Sequence, residues 1–292
     1  MAGKRISMVV VTRNEGFRLR DTVENLQDTL PDGSEILVVD DGSTDRSADN
    51  LASRTARTRV SRTPGIGVAK ARNFGGRRVK GDVLIFADAH LSLPSDWWKP
   101  LLDALGNPRV GGAAPVIAGM NPSHLEGYGI TFRDASLDVR WIRRKPRVPT
   151  PVPILPGCTF AMSRTAFECK CGAWDDGLLG LGNVDNEAGV RLWLLGYQLL
   201  LVPDVVVKHY YRNKPSAPVG YGKYIHNRLR IAFAHFNDER LRAVVSSLRQ
   251  DEGFPEALRL IAGSDVAARR RDLLAVRKRS DSWFFERFGL NW

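Results

Sequence analysis

Three short apolar runs, each ending in polar or acidic residues, most constrain the fold of this chain. Ile6–Thr12, Glu35–Asp40 and Val83–Asp88 are rich in Val, Ile and Leu, as strands buried on both faces are. Two segments with helical spacing of their apolar residues, Arg18–Leu30 and Val68–Val79, lie between them. Strands that alternate with helices predict an α/β fold, with a mixed, mainly parallel sheet flanked by helices.

The rest of the chain divides near residue 212. Ahead of that point we expect short strands and one late helix: Arg59–Ser61, Ala113–Ile117, Glu187–Leu195, Leu199–Val202 and Val205–Val207. The basic, proline-rich stretch Arg140–Pro156 is expected to be a loop. Beyond it, three helices and no strand are predicted: Tyr221–Phe236, Glu239–Gln250 and Glu256–Val276. We therefore predict an α/β domain over residues 1–212 and a helical C-terminal extension over 213–292.

The composition restricts the partners and the location of the chain. The formal net charge is +11, which favours anionic partners such as nucleotide diphosphates, nucleic acid or an acidic membrane surface. The three cysteines lack the second pair that a structural zinc site needs, and they indicate reduced thiols in a cytoplasmic protein. The longest apolar stretch, Leu192–Val207, is interrupted by Gly196 and Pro203. A spanning helix needs about 20 apolar residues, so we expect no transmembrane segment.

A candidate metal site lies where strands end. Ligands of parallel sheets bind at the carboxyl ends of the strands. Asp88-Ala89-His90 follows a buried strand, and His209 follows the last predicted strand. One carboxylate and two imidazoles suit Mn²⁺, and Mg²⁺ less well. Such an ion would bridge the two phosphates of a nucleotide diphosphate.

Four more charged residues have two interpretations each. Asp40 and Asp41 can accept hydrogen bonds from a uracil N–H or a ribose hydroxyl, or they can form an Asx-turn that caps a following helix. Arg72 can reach a base or a phosphate, or it can be solvated. Asp185 can remove the proton of an acceptor hydroxyl, or it can be the N-cap of the helix after it. For Asp185 the local sequence alone favours the cap.

Taken in order, these motifs resemble the family 2 glycosyltransferases, which have the GT-A fold. The similar segments are Val9–Glu15, Leu37–Asp45, Gly67–Asn73, Asp82–His90, Asp185–Glu187, Arg191–Tyr197 and Val207–Arg212. A closer similarity is to the catalytic domain of the polypeptide N-acetylgalactosaminyltransferases. Those enzymes carry Asp-x-His and a later Val-x-His, which Phe86-Ala-Asp-Ala-His90 and Val207-Lys-His209 match.

The resemblance implies a role for each matched residue. Asp88, Ala89 and His90 would bind the metal and the diphosphate of a UDP-sugar, and His209 would complete the metal ligands. Asp41 and Arg72 would hold the uridine, with Thr12 and Glu15 nearby. The basic segment Arg140–Arg147 and the C-terminal helices would surround the acceptor cleft, and those helices are also candidates for a homodimer contact.

The chain departs from those animal enzymes before the late helix. They have Trp-Gly-Gly-Glu-Asn there and retain the anomeric configuration, whereas this chain has Leu181-Gly-Asn-Val-Asp-Asn-Glu187. Family 2 enzymes that invert often carry an aspartate base at the position of Asp185. We therefore predict inverting transfer of a hexose or N-acetylhexosamine from a UDP-sugar to an acceptor hydroxyl or thiol. A peptide or protein acceptor is favoured, and a glycan or lipid-linked acceptor stays open.

Two other classes of protein are compatible with parts of the sequence. A nucleic-acid-binding protein would account for the charge, and Trp283-Phe-Phe285 could stack on bases, although such aromatics more often pack a C-terminal helix. No nucleic-acid motif is present, and we expect no nucleic-acid partner. A nicotinamide dehydrogenase would need a glycine-rich turn after its first strand, where this chain has Thr12-Arg-Asn-Glu-Gly-Phe17.

Overall fold

A computed structural model describes residues 4–49, 51, 56–121, 126–212 and 220–292. The strands are β1 (Ile6–Thr12), β2 (Glu35–Asp41), β3 (Thr58–Thr63), β4 (Val83–Asp88), β5 (Leu91–Ser92), β6 (Val110–Gly119), β7 (Ile130–Phe132), β8 (Val139–Trp141), β9 (Thr150–Pro151), β10 (Thr159–Ser163) and β11 (Gln198–His209). The helices are α1 (Phe17–Thr29), α2 (Val68–Gly76), α3 (Lys99–Ala104), α4 (Arg164–Glu168), α5 (Val184–Leu194), α6 (Tyr221–His235), α7 (Asp238–Leu248), α8 (Phe254–Ala262), α9 (Val266–Val276) and α10 (Asp281–Phe288).

Nine of these strands form one sheet in the order β3-β2-β1-β4-β10-β6-β11-β5, with β9 also paired to β11. Strands β3, β2, β1 and β4 are parallel, as are β6 and β11. Strand β10 runs antiparallel between β4 and β6. The prediction of a mixed, mainly parallel sheet is confirmed. Strands β7 and β8 form a separate hairpin.

Helices cover both faces of the sheet because its strands are apolar on both sides. Along β1, Met8 and Val10 belong to one buried cluster together with Leu19 of α1. The residue between them, Val9, belongs to the other cluster together with Ala69 of α2. Successive side chains of a strand point to opposite faces, so a continuous apolar run requires this double cover.

The predicted helix Glu256–Val276 is wrong as a single helix. The structure has two helices there, α8 and α9, and the break falls at Gly263 and Ser264. The Ser264 hydroxyl donates to the carbonyl of Ile261 at 2.8 Å and accepts from the amide of Val266 at 3.3 Å. A serine side chain that binds backbone groups on both sides favours a turn over a continuous helix.

Other boundaries differ from the sequence expectation for identifiable reasons. The predicted loop Arg140–Pro156 contains β9 and most of β8, because the segment pairs with β7 and β11. The two closing strands are one strand, β11, with an irregular register between Val202 and Val206. Pro203 lies within that irregularity, and proline cannot donate to a ladder.

A turn follows β2, as expected. Residues 42–49 form turns and bends, and the chain beyond them, where a helix is expected, includes residues 50 and 52–55, which lie outside the described residues, so that helix stays a prediction. No helix in the described part of the chain combines the length and hydropathy that crossing a bilayer requires. The division of the chain at residue 212 stays a prediction.

A buried ionic cluster joins α5 to the C-terminal helices. Glu187 of α5 accepts from Arg191 Nε with both carboxylate oxygens at 3.0 Å, and its Oε1 lies 3.2 Å from His235 Nε2 of α6. Arg269 of α9 lies 3.8 Å from the same oxygen. Burial would raise the pKa of Glu187, but the charges and hydrogen bonds of Arg191, His235 and Arg269 lower it from 4.5 to about 2. The cluster therefore holds an ionised carboxylate in the core.

We expect Glu187→Gln to lower the free energy of unfolding by about 3 kcal/mol at pH 7, the equivalent of its lowered pKa. A carboxyl group with a depressed pKa stabilises the fold above its unfolded pKa and loses that effect as the pH falls. The difference between wild type and variant should therefore shrink from pH 4.5 toward pH 2. Urea unfolding at several pH values measures it.

The control for this prediction is Glu168→Gln, whose carboxylate forms an exposed pair with Arg164 on α4. Exposed pairs contribute only about 0–1 kcal/mol, so this variant should unfold almost as wild type does. A Glu187→Gln effect of equal size at pH 7 and pH 3 would show that the buried charge is not its cause.

Candidate functional site

A cavity of about 530 Å³ opens at the carboxyl ends of β1, β2 and β4. Its walls come from these strand ends, the turn at 65–68, the loop at 179–181, the end of β11 and the start of α6. The predicted residues that line it are Thr12, Glu15, Asp41, Asp88, Ala89, His90 and His209. Asp40, Arg72 and Asp185 do not line it. The edge of the sheet that the sequence indicated is thus the edge that carries the cavity.

The three predicted metal ligands, Asp88, His90 and His209, converge on one wall of this cavity, which we call the metal wall. Asp88 ends β4, and His209 ends β11 on a distant strand of the sheet. The short strand β5 pairs with the end of β11, and the amide of Tyr210 donates to the carbonyl of His90 at 3.1 Å. This pairing brings His90 to His209. One ligand atom from each of Asp88, His90 and His209 lies within 4.8 Å of the others.

The spacing of these atoms fits a divalent ion. The Nε2 atoms of His90 and His209 are 3.0 Å apart, and His209 Nε2 is 3.5 Å from Asp88 Oδ2. Adjacent corners of an octahedron with metal–ligand distances of about 2.1 Å are separated by about 3 Å. A mixed oxygen and imidazole set of this kind suits Mn²⁺.

Glu15 orients one of the candidate ligands. Its Oε2 lies 2.9 Å from His90 Nδ1 and also accepts from Arg212. A carboxylate only accepts hydrogen bonds, so His90 carries its proton on Nδ1 and presents the Nε2 lone pair to the ion. Glu15, predicted to lie near a nucleotide, is therefore in contact with the metal wall.

Asp88 is held in the charged form that a metal ligand needs. Burial would raise its pKa, but a hydrogen bond to His209 and the charges of His90, His209 and Arg72 together lower the pKa below its usual 3.8. A metal ligand must be deprotonated before it binds. Asp88 therefore meets this requirement at neutral pH without an ion present.

Arg72 lies between two carboxylates of the site. Its side chain is buried and donates from Nη1 to Asp185 Oδ1 at 2.6 Å and from Nη2 to the carbonyl of Gly157 at 2.7 Å. Its Nη2 is 4.0 Å from Asp88 Oδ1. The interpretation of Arg72 as a solvated side chain is wrong. The guanidinium instead offsets the repulsion that two nearby carboxylates would otherwise feel.

Asp185 is not an N-cap. The N-cap position of α5 belongs to Asn183, which has a left-handed φ of 61° after Gly182, and Asp185 lies in the first turn. The helix therefore begins at Val184, two residues before the start that an N-cap at Asp185 would give. The carboxylate pairs with Arg72, and 32% of the side chain remains exposed. Asp185 and Asp88 therefore both lie beside the Arg72 guanidinium.

Asp40 and Asp41 both bind backbone amides of the chain itself, and their predicted contact with a nucleotide stays a prediction. Asp40 Oδ1 accepts from the amide of Ser43 at 2.9 Å, which is an Asx-type turn. Asp41 Oδ1 accepts from Ile66 N at 2.6 Å, and its Oδ2 accepts from Gly67 N at 2.8 Å. Asp41 therefore holds the 65–67 turn against the cavity, while Asp40 shapes the turn behind it.

Thr12 offers an unsatisfied hydroxyl to the cavity. The residue is 2% exposed, and its Oγ1 has no hydrogen-bond partner within the described ranges. Buried hydroxyl groups almost always have a partner. A bound molecule that supplies one would remove the cost of this unmet hydrogen bond.

Asn227 is a site residue that the sequence reasoning missed. It is fully buried on α6, accepts from Leu179 N at 2.8 Å and donates to the carbonyls of Leu179 and Gly182 at 2.9 and 3.0 Å. These bonds fix the loop that forms one wall of the cavity. The glycine-rich composition of the loop was visible in the sequence, but nothing local marks the helical asparagine that binds it.

The C-terminal aromatic residues pack inside the protein. Phe284 and Phe285 are buried, and the Trp283 ring lies 5.9 Å from that of Trp193. They complete the contact of α10 with α5, as the packing interpretation predicted. The stacking surface on which the nucleic-acid hypothesis relied is therefore occupied by the core.

Comparison with known proteins identifies relatives over most of the chain. The model of the family Glycosyl transferase family 2 matches residues 7–170. Polypeptide N-acetylgalactosaminyltransferase 15 of Homo sapiens is 30% identical over 251 residues, covering 77% of this chain and 39% of that protein. N-acetylgalactosaminyltransferase 7 of Drosophila melanogaster is 29% identical over 249 residues, covering 75% of this chain and 41% of that protein. The chain thus spans about two fifths of the length of these relatives.

A solved structure shares the fold over nearly the whole chain. The crystal structure of GalNAc-T7 with UDP, GalNAc and Mn2+ gives a TM-score of 0.82 at 24% sequence identity, covering 98% of this chain and 57% of that chain. The predicted GT-A fold is therefore confirmed.

We expect His209→Ala to abolish Mn²⁺ binding in the micromolar range, because it removes one of the three converging ligands. Glu15→Ala should weaken Mn²⁺ binding by about 10- to 100-fold, the effect typical of losing a carboxylate that orients a ligating histidine. The electron paramagnetic resonance signal of free Mn²⁺ during a titration measures both. Asp96→Asn, which changes an exposed carboxylate paired with Lys99, is the control and should bind as wild type does. Unchanged binding in His209→Ala would contradict the site.

Proposed function

We propose that this chain, which belongs to glycosyl transferase family 2, transfers a sugar from a UDP-sugar to a hydroxyl or thiol group of a peptide or protein. The observation that carries the proposal is the convergence of Asp88, His90 and His209 on the wall of a cavity of nucleotide size. The family membership gives the class of reaction. The ligand set gives the dependence on a divalent ion.

The donor would bind with its diphosphate at the metal wall. Asp88, His90 and His209 would hold Mn²⁺, which when bound offsets the negative charge of the departing diphosphate. Thr12 and Asp41 line the same cavity, and the unpartnered Thr12 hydroxyl would bind the uridine end. The structure of GalNAc-T7 was determined with UDP and Mn2+, which supports this choice of donor and ion.

Asp185 is the proposed base. Inverting transfer needs a carboxylate that takes the proton of the acceptor hydroxyl as the oxygen attacks the sugar. Asp185 is partly exposed, and its Oδ1 accepts from Arg72 at 2.6 Å. Arg72 would act as a positioning residue, because it holds Asp185 and approaches Asp88 from the same guanidinium.

The names of the relatives favour N-acetylgalactosamine as the sugar and a polypeptide as the acceptor. We adopt both as parts of the proposal, with a glycan or lipid-linked acceptor as the alternative. A cytoplasmic location and a homodimer through the C-terminal helices stay predictions from the sequence.

We expect UDP to bind with a micromolar dissociation constant in the presence of Mn²⁺ and to lose that binding when EDTA removes the ion. The physical reason is that the diphosphate has no ligand at the metal wall without the cation. Calorimetric titration with UDP measures this, and GDP serves as the control for base recognition. No UDP binding under either condition would contradict the proposed donor site.

We expect Asp185→Asn to lower kcat for transfer by about 10²- to 10⁴-fold, the usual contribution of a general base, and to leave UDP binding unchanged. Steady-state kinetics with UDP-GalNAc and a threonine peptide measures the rate, and calorimetry measures the binding. Asp176→Asn, which removes a charge from a half-exposed carboxylate in the segment that precedes α5, is the matched control. Full transfer by Asp185→Asn would show that the base is another group.

A further inference from the structure

A strongly basic surface lies outside the donor cavity. We call it the basic segment, residues 140–147, and its charged residues Arg140, Arg143, Arg144, Lys145 and Arg147 are all exposed. The sequence contains no Asp or Glu between Asp138 and Glu168. Neither the metal wall nor the proposed base uses any of these five charges.

The basic segment is close to the transfer site. Trp141 within it packs against the same apolar cluster as Cys158 and Tyr211, and Tyr211 lines the donor cavity. Gly127 lies against the Trp141 ring, and its amide donates to the carbonyl of Ile117 at 2.8 Å. Ile117 pairs with Val207, two residues before His209, so the basic segment lies beside the end of β11 that carries this ligand.

The backbone that carries these charges is fixed. Strand β8 pairs with β7, the amide of Ile142 donates to the carbonyl of Gly129 at 2.9 Å, and Arg143 Nη1 donates to the carbonyl of Glu126 at 2.9 Å. Asp138, just ahead of the segment, forms an ion pair with Arg228 of α6. The charged side chains therefore extend from a hairpin whose backbone is held in place by hydrogen bonds and by an ion pair with α6.

Most of these charges lack an internal partner. Within the described residues, Arg140, Arg144, Lys145 and Arg147 form no ion pair with a carboxylate. A cluster of like charges without counter-charges creates a positive potential that attracts an anionic partner. Two exposed valines, Val139 and Val148, flank the segment and add apolar surface to it.

We propose that the basic segment binds acidic residues of the polypeptide acceptor close to its accepting hydroxyl. This inference rests on the proposed function and names the substrate class within it. A polypeptide can present carboxylates to the arginines and apolar side chains to Val139 and Val148 while its hydroxyl reaches the metal wall. The exposed valines favour a polypeptide over a nucleic acid, whose non-specific binding rests on phosphate contacts.

The test measures transfer from UDP-GalNAc with Mn²⁺ to three short peptides that share one central threonine. The residues flanking the threonine are glutamate, glutamine or lysine. We expect kcat/KM to be about tenfold higher for the glutamate peptide than for the glutamine peptide, since several weak exposed ion pairs would act together. The lysine peptide should be poorest, and the preference should fall as salt is added.

The combined variant Arg144→Gln, Lys145→Gln, Arg147→Gln should lose this preference. Its control is the combined variant Arg242→Gln, Arg249→Gln, Arg259→Gln, which removes the same number of positive charges. These three exposed residues lie in α7, at the C-terminal end of α7 and in α8, respectively. The control should keep the wild-type ranking of the peptides. Both variants should hydrolyse UDP-GalNAc in water at the wild-type rate, because neither touches the donor cavity.

Equal rates with all three peptides would overturn the acidic-acceptor inference alone. Donor hydrolysis with no transfer to any peptide would overturn both this inference and the peptide acceptor of the proposed function, while leaving the proposed donor site standing. Binding of an RNA oligonucleotide or of phosphatidylserine vesicles that the basic-segment variant loses, with no change in peptide ranking, would also overturn it. Absence of both UDP binding and UDP-GalNAc hydrolysis would instead overturn the proposed function, and the inference with it.

Discussion

The buried carboxylate of Glu187 is the constraint on which the arrangement of the C-terminal half depends. A charge in the core is tolerated only with partners in place, and removing one partner of such a pair costs about 3–5 kcal/mol. Glu187 takes its partners from α5, α6 and α9, and Arg230 of α6 pairs in the same way with Asp175. The helices therefore pack in an arrangement that pairs each of these buried charges. In the same arrangement, Asp185 of α5 contacts Arg72.

The metal wall shows how a mixed sheet assembles a site from distant parts of the chain. His90 and His209 are separated by 119 residues, and they meet because the end of β11 pairs with the short strand β5, which follows β4 along the chain. Asp88 and His209 end their strands, and His90 lies in the link between β4 and β5, where its carbonyl accepts from Tyr210 N. Glu15, from the loop after β1, then fixes the ring of His90. Three separate strand ends thus act as one rigid support, which suits a ligand set that must not rearrange when the donor leaves.

Much of the sheet, and the part of the metal wall formed by Asp88 and His90, could be predicted from the sequence because both depend on local patterns. Strands β1, β2 and β4 follow from apolar runs, and Asp88 and His90 follow from what ends the last of these. His209 needed the family resemblance to be singled out from other histidines. The contact of Arg72 with Asp185 spans 113 residues and is chosen by tertiary packing, which no local pattern records. The break between α8 and α9 was missed because a serine that binds the backbone on both sides looks like an ordinary helical residue in a periodic segment.

The hydrogen bonds between Asn227 and the 179–182 loop have a consequence for the order in which the protein folds during synthesis. Synthesis proceeds from the N-terminus, and the parallel half of the sheet is complete well before α6 is made. Before Asn227 is made, the loop has the bond from Val68 N to the carbonyl of Gly180 but lacks the three bonds to Leu179 and Gly182. A chain interrupted between the sheet and α6 would already hold Asp88, His90 and His209, yet one wall of its cavity would be incompletely fixed. The metal ligands are therefore all present in the nascent chain before this wall of the cavity is complete.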